Sequence, residues 1–296
     1  MDRQVFNKLY IYCNIALIMA AFISGLSFVA QKLGMLYVGP FTFNALRCFI
    51  GCISLLPVMF LLSTRQRCNF KGGILAGIVL FIAFTINQYC MIYTEAGKAG
   101  FITSLYILFV PALAIFLKHK LSLNVAISIL VALIGLYLLC AKSPLIFELW
   151  DILLLISAFF FALHIIIVSH YSKKSDAIKL SLMQFLVAGF LSLPFAVFIE
   201  NPTFPLILAG WKPILFIGVI VTAGAYTLQI FGHKAKKPVV ATLILSSEAI
   251  FAVIFGMLIL DETLCVKEII GCLVMLFAIV LSQIPNKGGK SEKTNN

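Results

Sequence analysis

Along this chain apolar residues run for about 18 to 23 positions at a time, and short polar stretches break the runs down its whole length. A helix of that length reaches across a hydrocarbon core of about 30 Å. Ten runs qualify: Leu9–Ala30, Pro40–Leu62, Gly72–Tyr93, Gly100–Leu117, Leu121–Cys140, Leu149–Val168, Leu180–Ile199, Pro213–Phe231, Val239–Leu260 and Val266–Ile284. The pattern predicts an all-α polytopic membrane protein. Its first run is long, dotted with polar residues and without a small-x-small cleavage site, so it is expected to stay in the mature chain. Residues 285–296 are rich in Gly, Lys and Asn and are expected to form a disordered cytoplasmic tail.

Composition supports the membrane reading. Of 296 residues, 62% are hydrophobic and 11% charged, with mean hydropathy +1.10; soluble domains carry about 25% charged residues. The net charge of +11 could suggest nucleic acid, but its placement says otherwise. Arg3, Lys8, Arg65, Arg67, Lys71, Lys118, Lys120, Lys173, Lys174, Lys179, Lys234, Lys236, Lys237, Lys287, Lys290 and Lys293 fall in breaks on one side. Only Lys32, Lys98, Lys142, Lys212 and Lys267 fall on the other. The positive-inside rule then predicts both termini in the cytoplasm, with the chain in the cytoplasmic (inner) membrane, and the basic residues act as topology signals. The cysteines lie mostly within apolar runs, without metal-like spacing, and read as small buried hydrophobes. Cofactors and metals are expected to be none, and no phosphate-binding Gly-rich motif suggests ATP hydrolysis.

Internal similarity divides the chain into residues 9–140 and 149–284. The stretch Thr103–Phe116 is similar to Ala241–Phe255, and "ILVALIGLYLL" to "GCLVMLFAIVL". Five runs per unit is odd, so the second copy must enter the membrane upside down. Loop charge agrees: Arg65, Arg67 and Lys71 follow the second run, whereas Glu200 and Lys212 stand in the corresponding place after the seventh. The expected fold is ten transmembrane helices as two inverted five-helix repeats around a central cavity, an arrangement in which two halves can expose a midplane site alternately.

Three stretches, "GKAGFITSLYILFVPALA", "LISAFFFALHIIIVSHYSKK" and "ATLILSSEAIFAVIFGMLILDETLCVKEIIGCLVM", resemble the EamA-type branch of the drug/metabolite transporter superfamily, over nearly the whole chain. Two positions depart from that pattern: Ala249, not Pro, follows Glu248, and Asp261-Glu262 replaces a Gly-Glu pair. The first removes a Pro-imposed kink. The resemblance implies secondary transport of a small organic metabolite by alternating access, with export of an amino acid or related compound as the leading case. Import of a metabolite such as S-adenosylmethionine or a nucleotide-sugar, lipid flipping, and a non-transporting receptor or scaffold are the other readings. No nucleophile or paired-carboxylate constellation points to an enzyme.

Candidate site residues are the polar groups inside the runs. A central charge costs about 2.5–3.5 kcal/mol on an insertion scale, so it should face protein or water. Arg47 lies near one end of its run, where it can snorkel to the surface, tie helices together, or meet an anionic group. Glu248 is central and too short to snorkel. It reads as a hydrogen-bonded packing residue using Ser246, Ser247 or a neighbouring helix, as a proton-coupling group, or as a contact for a cationic substrate. His164 is mid-helix, whereas His170 and His233 fall at run ends and are expected to meet water. Ser24 and Ser27, Asn87, Gln88 and Tyr89, Thr103 and Ser104, Gln184, Tyr226 and Gln229 are expected to face inward, because unsatisfied polar groups in lipid cost several kcal/mol. Phe28, Phe84, Tyr93, Tyr106 and Phe159 to Phe161, with Phe160 singled out, could line a pocket among them. The site expected is Glu248, His164, Asn87, Gln88, Tyr89, Ser24, Phe28, Ser104, Phe160, Tyr226, Gln229, Ser247 and Arg47, with a small-molecule substrate, protons and the lipid bilayer as partners.

Overall fold

The computed structural model describes residues 3–62, 69–94, 96–116, 123–140, 148–260 and 266–283. Among these it is helical, with no strand. The helices are α1 (Arg3–Gly34), α2 (Pro40–Leu62), α3 (Phe70–Tyr93), α4 (Ala96–Ser104), α5 (Tyr106–Phe116), α6 (Leu123–Cys140) and α7 (Leu149–Tyr171). They continue as α8 (Ala177–Phe195), α9 (Phe204–Ala209), α10 (Trp211–Phe216), α11 (Tyr226–Gly232), α12 (Pro238–Leu245), α13 (Glu248–Leu260) and α14 (Val266–Gln283). Wider π-helical turns over Ala196–Glu200 and Ile217–Ala225 extend α8 and join α10 to α11. The expected tail lies outside the described residues.

Among the described residues, seven stretches are long and apolar enough to cross a membrane, from Leu9–Gly34 to Trp211–Gly232; three shorter apolar helices cover Leu123–Leu138, Pro238–Ala252 and Ile269–Ser282. Large apolar side chains stand on the outside, Phe60, Phe116 and Phe198 among the most exposed. In water such a surface would be a liability; against lipid it is the favoured one.

Packing explains how the cavity is framed. α3 lies on α7 and α8, and α1 lies on α11, α13 and the π-helical segment before α11. α2 packs on α8 and on that same segment, α5 on α12, and α6 on α14. The third predicted span of each half thus rests on the first predicted span of the other, and the fifth predicted spans pair together. Small residues permit the closest approaches: a Cβ at Gly51 would come within 2.8 Å of Thr222, and one at Gly218 within 2.6 Å of Ile50.

Local chemistry fixes the helix ends. Asn69 accepts from the Gly72 N–H at 2.9 Å, and Asp176 from the Ile178 and Lys179 N–H groups at 3.0 and 3.1 Å, satisfying donors that have no partner within the helix. Contacts of Tyr10 with Lys236, Asn69 with Ser175 and Gly72 with Tyr171 gather the helix ends near Lys173 and Lys236 on one side, the basic face. On the opposite face Glu200 accepts from the Phe41 and Thr42 N–H groups and the Thr42 hydroxyl at 2.8, 2.7 and 2.6 Å, capping α2 from a distant helix. Lys32 donates to the Met91 and Thr94 carbonyls at 2.8 and 2.9 Å, doing the same for the end of α3.

Candidate functional site

The fourth and ninth predicted spans are each interrupted. Between α4 and α5 the Leu105 and Leu108 N–H groups bond to carbonyls three residues back, and Pro111 cannot donate to Ile107. Between α12 and α13 the break needs no proline. The Ser246 and Ser247 hydroxyls donate to the Leu243 and Ile244 carbonyls at 2.8 and 2.7 Å, competing with the helical ladder. These serines therefore serve the backbone and leave the carboxylate to a neighbouring helix, the last of the partners expected from sequence.

The two breaks meet. Tyr106, first residue of α5, donates its hydroxyl to Glu248 Oε1 at 2.9 Å, and Glu248 is the first residue of α13. The Ala249 and Phe251 N–H groups of that first turn bond back to the Ser246 and Ser247 carbonyls, so the carboxylate takes its hydrogen bond from Tyr106 across the breaks. Ser104 lies next to the same carboxylate but outside strict hydrogen-bond geometry.

Arg47 is 2% exposed, so it does not snorkel. Its Nε donates to Thr222 Oγ1 at 3.0 Å, and its guanidinium lies 4.1 Å from the Phe84 ring centroid. The π-helical turn carrying Thr222 presents that hydroxyl to α2, and the ring face stabilises the cation in place of water. Arg47 and Glu248 do not pair with each other: Thr222 holds one, Tyr106 the other.

Both line a cavity of about 70 Å³, space for several water molecules. Of the predicted residues, Ser24, Phe28, Asn87, His164, Tyr226 and Gln229 join them in its wall. Asn87 donates to Thr103 Oγ1 at 2.8 Å, His164 Nε2 meets Gln184 Oε1 at 2.9 Å, and Tyr226 packs edge-on to His164, Phe84 and Phe185. Both halves contribute, with an amide and aromatic surface between two unlike charges.

The remaining predicted residues stand elsewhere. Gln88 is buried and donates to the Gln31 carbonyl at 3.3 Å, and Ser247 is spent on Ile244. Ser104 lies behind the wall. Tyr89, 41% exposed, packs with Tyr93 and Trp150 on the outside, because it follows Gln88 by one residue and points away from it. Phe160 packs on Phe159, and its neighbour Phe161 reaches the cavity instead. His233, expected in water, is fully covered, while His170 is exposed as expected. Gln31 was missed. It lies one helical turn beyond Ser27 and donates to it at 3.1 Å, so the spacing Ser24, Ser27, Gln31 was the available signal.

A helical membrane chain whose two halves enclose a shared polar cavity belongs to the class of membrane transporters. The EamA-like transporter family matches residues 11–141 and 148–283, one copy in each half, and this chain belongs to that family, within the drug/metabolite transporter superfamily. An uncharacterized transporter of Archaeoglobus fulgidus is 32% identical over 277 residues, spanning 92% of this chain and 85% of the relative. The uncharacterized transporter YoaV of Bacillus subtilis is 21% identical, spanning 90% and 95%. One solved crystal structure superposes with a TM-score of 0.78 at 14% identity, spanning 92% of this chain and 96% of its own, a likeness of fold.

Proposed function

We propose that this protein exports a small organic zwitterion, an amino acid or related metabolite, across the cytoplasmic membrane by proton-coupled alternating access. The observation that carries the reading is the pair Arg47 and Glu248, buried in one cavity wall yet bonded to separate neutral partners. Buried unlike charges that do not neutralise each other are costly unless a ligand completes them. A zwitterion does so: its carboxylate meets the guanidinium, its ammonium meets Glu248, and Phe84, Phe161 and Tyr226 cover its apolar part. When the substrate leaves, a proton on Glu248 replaces the ammonium.

In this reading the ten predicted spans form two inverted five-helix units, residues 9–140 and 149–284, with the basic face and both termini cytoplasmic. The reciprocal packing of first on third spans supports it, as does the loop charge. The two halves rock about the meeting point of the helix breaks, so Tyr106 and Glu248 sit where motion and binding coincide. The test is uptake of labelled amino acids and organic cations into proteoliposomes, with and without an imposed pH gradient, for the native chain and Glu248→Gln. Gradient-driven uptake of a zwitterion that is lost in Glu248→Gln is the expected result. Equal uptake by both proteins would make the carboxylate a packing group and remove proton coupling.

A further inference from the structure

The Arg47 guanidinium over the Phe84 ring marks the level at which α2 and α3 meet in the cavity wall. α2 begins and α3 ends at the face fastened by Glu200 and Lys32, so the residue one turn before Arg47 and the residue one turn after Phe84 both lie toward that face. These residues are Asn44 and Gln88. Asn44 precedes both Arg47 and Cys48 by a turn; Arg47 touches Phe84 with its guanidinium, and Cys48 shares an apolar cluster with it. The Asn44 side chain therefore faces α3, and it is 1% exposed. α1 closes the third side: the Gln88 amide donates to the Gln31 carbonyl at 3.3 Å, and the Phe43 ring fills the space that a Cβ on Gly34 would need.

The fold leaves these amides unsatisfied. Asn44 Nδ2, Asn44 Oδ1 and Gln88 Oε1 are buried atoms without a hydrogen-bond partner. Buried amides are normally paired, and a leucine at position 44 would occupy a similar volume with no polar atom to satisfy. The chain instead keeps one donor and two acceptors that its own packing does not use, at a level between the cavity and the face opposite the basic one. Gln31 joins that level to the cavity, since it lies in the cavity wall, donates to Ser27 and holds Gln88 through its carbonyl.

We propose that Asn44 and Gln88 form a second, uncharged station for the zwitterion on its way out, with Asn44 Nδ2 donating to the carboxylate and Asn44 Oδ1 and Gln88 Oε1 accepting from the ammonium. The inference rests on the zwitterion-transport reading and extends it to the exit path. In the cavity both ends of the substrate meet full charges, Arg47 and Glu248. Amides one turn further on offer hydrogen bonds of the same kind but weaker, so the substrate leaves the charges without losing its partners and is not retained. Sites on a conduction path must bind well enough to be entered and weakly enough to be left.

The test compares the native full chain with Asn44→Leu and Asn44→Ser. Uptake of a uniformly labelled amino-acid mixture is measured in proteoliposomes, and Tm on the same proteins in nanodiscs. Leucine keeps the volume and removes both hydrogen-bonding groups, whereas serine loses volume and keeps a donor and an acceptor. The expected result for Asn44→Leu is a maximal rate about ten-fold lower, a half-saturating concentration within about two-fold of native, and a Tm held or raised. Asn44→Ser should keep most of the native rate. A packing role predicts the reverse order, with leucine tolerated and serine impaired. That order, native rates in both variants, or a Tm lowered by leucine would overturn the station while leaving the zwitterion reading in place. Absence of uptake by the native chain would instead overturn the zwitterion reading, and the station with it.

Discussion

At the residue scale, the site depends on a few donors that long-range folding brings in. Tyr106 and Glu248 are 142 positions apart, and sequence marks the tyrosine only as one aromatic among many. Glu248, Arg47 and His164 were legible because each is a polar group inside an apolar run, but their partners were not. Tyr106→Phe removes the donor and leaves a buried carboxylate oxygen unsatisfied. We expect a loss of about 1–3 kcal/mol, read as a lower Tm in nanodiscs, together with weaker gradient-driven uptake. Arg47→Lys keeps the charge but loses the flat guanidinium that both stacks on Phe84 and reaches Thr222. A zwitterionic substrate should then show KM raised by about ten-fold or more, measured in the uptake assay; an unchanged KM would take Arg47 out of the site.

At the element scale, periodicity and length located the apolar helices but not their interruptions. A run such as Val239–Leu260 reads as one helix, because serine is only mildly unfavourable in helices and nothing in the pattern says its hydroxyl will turn onto the backbone. Replacing Ser246 and Ser247 together by alanine should straighten the α12–α13 junction and carry Glu248 away from Tyr106. Tm should hold or rise, since alanine favours helix, while coupled uptake falls; uptake that survives would mean the break serves packing only. The segment between α11 and α12 carries its own prediction. Burial pushes the Lys236 ammonium down from 10.5 to about 8. The unfolded chain therefore binds more protons than the folded one between those values, and stability should climb across that window as pH rises. Lys236→Gln abolishes that part of the climb, so thermal unfolding of the two proteins should diverge with pH only there.

At the scale of the whole molecule, the sequence foretold two similar halves, and the family matches fall one to each. What it could not foretell is how each face is fastened. The face opposite the basic one is held by two charged side chains that cap helices other than their own: Lys32 closes the end of α3, and Glu200 closes the start of α2. Both join spans that must separate if that face opens, since α2 and α8 pack along their length and Glu200 lies at the end of the latter's π-helical extension. If the proposed alternation breaks these bonds, they weight the equilibrium between faces without touching the cavity. Glu200→Gln keeps the shape and removes the charge from three hydrogen bonds, a change of about 2 kcal/mol for charge-assisted bonds and so about thirty-fold in the ratio of closed to open. Distances between spin labels placed across α2 and α8 on that face should acquire a longer population in Glu200→Gln, while Tyr106 and Glu248, on the far side of the cavity wall, keep their contact. An unaltered distance distribution would make the Glu200 cap a fixed part of the fold, leaving the choice of open face to the cavity.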